Sequence, residues 1–82
     1  MDRQEFIEVL KSRNIPINIV CFDELNGRDG VIWIRKIPYE WSVSHIERGQ
    51  EYNWRGFQSE SDALKYSLET IIEEYVLLNK QP

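Results

Sequence analysis

From residue 60 onward the apolar positions fall three or four apart: Ala63, Leu64, Leu68, Ile71, Ile72, Tyr75, Val76 and Leu78, with Ser67 on the same stripe. That spacing belongs to a helix with one buried face and predicts one over about residues 60–79. Ser59 stands where its hydroxyl can accept from the backbone N–H of Asp62. Glu60 and Asp62 place carboxylates at the positive end of the helix dipole, and Phe57 precedes the cap as a hydrophobic staple would. Near the other terminus Phe6, Ile7, Val9 and Leu10 make a second, shorter stripe. It follows Asp2 and Glu5, which have the spacing of a capping box, and it runs toward Lys11 and Arg13, cations suited to a helix C-terminus. Asn14 can take a left-handed cap and Pro16 forbids continuation, so a first helix spans about residues 3–13.

Between the helices the period changes to two. Residues 17–24 alternate β-branched and aromatic positions and predict a strand. Asn26-Gly27 and Asp29-Gly30 are turn pairs that tolerate positive φ. A second strand is expected over 31–37, a turn at Pro38 and Tyr39, a third strand over 41–47, a turn at Arg48 and Gly49, and a fourth strand over 51–57. The expected architecture is α+β and a single domain, 1–82: an N-terminal helix, a four-stranded antiparallel meander sheet and a long C-terminal helix, with both helices packed on one face of the sheet.

Two helices on one face leave the other toward solvent. If Ile32, Ile34, Trp41 and Val43 point inward, Trp33, Arg35, Ser42 and Ser44 point outward, and the parity of the fourth strand adds Tyr52 and Trp54. Exposed tryptophan and tyrosine in one patch is the composition of an interaction hot spot. A bulge near Arg55 and Gly56 would exchange the faces of the fourth strand.

Charge sharpens this picture. The net charge is −4. Glu60, Asp62, Glu69, Glu73 and Glu74 against Lys65 and Lys80 give −3 to the last 23 residues, and the preceding 59, with nine acids and eight bases, carry −1. An acidic helix repels phosphate and attracts a basic partner, so nucleic acid is not expected as a direct ligand. No run reaches the roughly 20 apolar residues of a membrane span, and the charged start Met1 to Glu5 lacks a signal-peptide core, so a soluble cytoplasmic protein is expected.

Catalytic chemistry finds little support. His45 and Glu47, two apart on a strand, share a face, but adjacent polar residues on strands are commonplace. One histidine and one cysteine, Cys21, offer no metal-ligand spacing, and Cys21 within an apolar run reads as a buried thiol. The four glycines read as turn or bulge residues and make no phosphate-cradling loop. No enzyme activity, cofactor or metal is expected.

The order Trp41, Ser42, Val43; Glu47, Arg48, Gly49, Gln50, Glu51, Tyr52, Asn53; Phe57, Ser59, Glu60, Ala63 and Tyr66 resembles that of small bacterial immunity proteins. These accompany the toxins of contact-dependent growth inhibition and related polymorphic toxin systems. The resemblance covers about 26 of the 82 residues, and Leu64, Lys65 and Tyr66 match the family's last helix only in part. It implies an antitoxin that binds and neutralises a cognate toxin domain, a basic nuclease being the expected toxin, while the protein is monomeric when unbound. Trp33, Tyr52 and Trp54 are then candidate anchors, with Glu47, Glu51, Glu60, Asp62, Glu69 and Glu73 as an acidic fringe. The alternative is a structural or regulatory domain that self-associates through its exposed sheet face.

Overall fold

The computed structural model describes the backbone of residues 1–79 and the side chains of residues 1–75; the expected helix positions Val76 and Leu78 lie outside the described side chains. Helix α1 spans Arg3–Ser12 and starts as its sequence requires, with Asp2 Oδ1 accepting from the backbone N–H of Glu5 at 2.8 Å. It ends where Asn14 turns left-handed, at φ +58°. Pro16 then leads into a single 3₁₀ turn, Ile17–Ile19, and only Val20–Phe22 forms strand β1. The strand expected over 17–24 is therefore mostly turn. Strands β2 (Val31–Ile37), β3 (Glu40–Glu47) and β4 (Gln50–Phe57) follow, and helix α2 spans Glu60–Asn79. At the start of α2 the Asp62 N–H donates to Ser59 Oγ at 3.1 Å, and Phe57 packs on Tyr66 with ring centroids 5.2 Å apart.

The sheet order is β1-β2-β3-β4. The last three strands are the antiparallel meander that the turns predicted, but β1 pairs with β2 in parallel, Val20 opposite Ile32 and Phe22 opposite Ile34. The sheet is thus mixed, not purely antiparallel. The connection from Asp23 to Gly30 cannot be a hairpin, because it must carry the chain back to the starting end of β1. It does so through positive-φ backbone at Asp23, Asn26, Gly27 and Gly30. On the way it folds over the sheet: Leu25 packs against Cys21, Val31 and Ile46, and the Trp33 indole N–H donates to the Asp23 carbonyl at 2.9 Å.

The main core gathers Phe6 and Leu10 of α1, Val20, Ile32, Ile34 and Val43 of the sheet, and Ala63, Leu64, Leu68 and Ile71 of α2. Burying the larger of these apolar side chains, each worth about 1.5–3 kcal/mol, is the main force fastening α2 across β2, β3 and β4. Arg3 closes the terminal end. Its guanidinium bonds both Asp23 oxygens at 2.9 and 3.0 Å and Glu60 at 2.9 Å, and it lies 4.6 Å from the centroid of the Phe22 ring. The Arg3 hydrogen bond holds the Asp23 carboxyl below the usual carboxylate range.

A candidate protein-binding edge

The strongest departure from a regular sheet lies in β4. Opposite β3, Arg55 pairs with Val43 and Tyr52 with His45, so Asn53 and Trp54 together oppose the single residue Ser44. This is a β-bulge, and Asn53 supports it with φ +54°, a left-handed conformation that asparagine tolerates better than most residues. The bulge resets the parity of the strand. Arg55 and Phe57 point toward α2, where the Arg55 guanidinium sits 5.4 Å from the centroid of the Tyr66 ring. Tyr52 shares the side of its partner His45, which reaches Glu74 of α2. Trp54, alternating with Arg55, falls to the far side opposite Ser44.

The expectation that Trp33, Tyr52 and Trp54 share one open face is corrected accordingly. Tyr52 leaves the group because one extra residue separates it from Trp54. Trp33 is held in the small cluster under the β1–β2 connection, with the Arg35 guanidinium stacked 3.7 Å from the centroid of its ring. Ser42 and Ser44, expected to be outward and wet, are completely buried. Ser44 donates to Glu51 at 2.6 Å, and Arg35 stands 3.6 Å from the same carboxylate, so Glu51 is tied into the sheet. The far face is thus partly covered by its own side chains and by the connection.

Exposure concentrates instead along β4. Every residue from Gln50 to Gly56 is exposed, and Tyr52 and Trp54 show 46% and 50% of their surfaces. Among the described residues nothing pairs with the outer side of β4. Glu47, at the hairpin end, is exposed, as are Asp62, Glu69 and Glu73 on α2, whereas Glu60 is occupied by Arg3. The structure therefore brings Glu47, Glu51, Tyr52 and Trp54 to one edge and leaves Trp33 and Glu60 in structural roles.

Between this edge and α2 run two shallow clefts that sequence reasoning missed. One, of about 370 Å³, is lined by His45, Glu47, Tyr52, Asn53 and Glu74. The other, of about 470 Å³, is bordered by Asn53, Trp54, Arg55, Tyr66 and Thr70 and shares His45 and Glu74 with the first. His45 pairs with Glu74 across the elements, 3.4 Å from Nε2, and not with Glu47 beside it on the strand. That contact is poorly directed, and both imidazole nitrogens are shielded from solvent without a hydrogen bond. The signal that was available is α2's 3.6-residue period, which carries Tyr66, Thr70 and Glu74 along one flank.

Cys21 is buried, 3.2 Å from the Glu24 carbonyl. Among the described residues no three His, Cys, Asp or Glu side chains gather as metal ligands, and no helix is long and apolar enough to cross a membrane. No family model, curated protein or solved structure matches the chain.

Proposed function

We propose that this chain is an immunity protein, a stoichiometric antitoxin that acts in the bacterial cytoplasm by binding and neutralising a cognate toxin domain, a basic nuclease. The observation that carries this reading is β4: an exposed strand bearing a half-exposed tyrosine and a half-exposed tryptophan, bordered by Glu47, Glu51 and Glu74. Solvent-facing aromatic rings provide the apolar contact that slows dissociation, and flanking carboxylates steer a basic protein toward them. The residues that resemble the immunity proteins, Trp41 to Tyr66, are those that build β3, β4 and the start of α2, the same part of the molecule.

The test is to titrate the purified chain against the toxin domain encoded immediately upstream, following heat of binding and nuclease activity together. The reading requires saturation at one equivalent, a Kd of about 100 nM or tighter, and loss of nuclease activity at the same point. An active toxin domain that the chain neither binds nor inhibits would sink it. Self-association through the far face has less to stand on, since Ser42 and Ser44 are buried and Trp33 is capped by Arg35.

A further inference from the structure

The two borders of the sheet differ in what their backbones can still bond. At β1 a side chain of the chain itself bonds the margin: the Arg28 guanidinium donates to the Val20 carbonyl at 3.2 Å and, just before the strand, to that of Asn18. At β4 eight residues run along the margin, and none of their outward groups has a side-chain cap among the described contacts. The hairpin fixes which groups those are. Arg48 and Gly49, with φ +54° and +76°, form a two-residue turn closed by the pair Glu47–Gln50. In such a hairpin the closing pair exchanges hydrogen bonds and the next pair, Ile46–Glu51, does not. The N–H and C=O of Glu51 therefore point away from β3, toward solvent.

We infer that β4 accepts an extended segment of the partner as a fifth strand, with lysine or arginine alternating with aliphatic residues. This rests on the reading of the chain as a protein binder and specifies how the binding occurs. Main-chain bonding at a sheet edge supplies affinity, and alternate side chains supply selectivity. On the α2 side, the added strand's side chains enter the cleft that Glu47 and Glu74 line together with Tyr52, a setting for a cation. Arg55 points to the same side but lies over Tyr66, farther along, so the basic position falls at the Tyr52 end. On the far side, the intervening residues meet Trp54, which rewards aliphatic side chains.

A second copy of the chain fits this margin poorly. It would bring Glu47, Glu51 and Glu74 against their own equivalents between two molecules each of net charge −4.

The probe is the peptide acetyl-Lys-Val-Lys-Val-Lys-Val-Lys-amide, titrated up to about 1 mM into the isotopically labelled chain. Amide resonances of residues 50–57 should move, exchange of the Glu51 N–H should slow at least tenfold, and the peptide N-methylated at every amide should not bind. Failure to bind, equal binding of the N-methylated peptide, or shifts confined to β1 or the helices would overturn the proposal. With the upstream toxin domain, Glu51→Pro should lose at least tenfold more affinity than Glu51→Ala, which lacks the carboxylate but keeps the amide. Should Glu51→Pro unfold, exchange at residues 50–57 in the toxin complex decides, and unslowed exchange overturns strand addition. Toxin binding that persists with unprotected β4 amides defeats this inference alone, whereas absence of toxin binding defeats the function proposed above. Sedimentation of the unbound chain as a dimer would assign the margin to a second copy and also overturn it.

Discussion

At β1 the sheet ends in three residues, of which Val20 has its carbonyl bonded by Arg28, and whose far end is clasped by Arg3 through Asp23; at β4 it ends in eight residues, seven of them exposed, with two half-exposed aromatic rings. Both are edges of one sheet, with the same need to satisfy backbone donors and acceptors. The first is closed by cations from the chain itself. The second is left to solvent, with only a bulge and charged side chains to discourage indiscriminate pairing. An edge sealed from within is structural, and one kept open while its opposite is sealed is available for use. The difference supports placing the proposed binding surface at β4.

Four experiments would break or sharpen that contrast. The largest effect is expected from Trp54→Ala, which should weaken toxin binding by about 2 kcal/mol or more while leaving the urea midpoint nearly unchanged. Glu69→Gln, an exposed change away from the edge, should cost less than about 0.5 kcal/mol by the same calorimetry; equal losses would end the anchor role of Trp54. Next, Arg28→Ala should destabilise the fold by about 1–2 kcal/mol in urea unfolding, because the Val20 and Asn18 carbonyls lose a charged donor. Arg28→Lys should recover only part, since one ammonium replaces a planar fork. No destabilisation would mean that the β1 edge is not sealed by this residue.

Third comes acid. Arg3 depresses the Asp23 carboxyl, and the backbone N–H groups of Gly49, Arg48 and Gly30 depress that of Asp29. Carboxyls with lowered folded-state pKa contribute stability that is complete above the unfolded carboxylate range and disappears as pH falls through the folded values. Stability should therefore drop below about pH 4. Urea midpoints between pH 6 and pH 2 would check this, and Asp23→Asn should flatten the slope. The smallest effect belongs to Gly56→Ala. The added methyl meets only the carboxylate of Glu40, the mobile end of its side chain, so the change should stay within about 0.5 kcal/mol in stability.

Much of the fold could be read from the chain because it is written locally. Both helices carry their own caps, and β2 to β4 are joined by turns whose residues specify them. The direction of β1 is not local: Val20, Cys21 and Phe22 alternate identically whether the next strand runs parallel or antiparallel, and the answer lies in the path of residues 23–30. The site was legible in its composition but not in its arrangement. Tyr52 and Trp54 have the same parity in the sequence, and only the extra residue at Asn53 parts them. The glycine at 56 draws attention to Arg55 and Gly56 as the place where a bulge would exchange the faces, whereas asparagine inside a strand is the better marker, given its tolerance of left-handed backbone. Glu60 was read as part of an acidic fringe because Arg3, 57 residues away in sequence, gives no local sign of pairing with it.

The bulge also bears on how such a surface can diversify. Adding or deleting one codon near Asn53 would change the parity between the two ends of β4; because Phe57 is held against Tyr66, the reversal would fall on Glu51 and Tyr52 at the hairpin end. One genetic step there would thus redraw the exposed pattern at the hairpin end while the helix-facing end of the strand keeps its place.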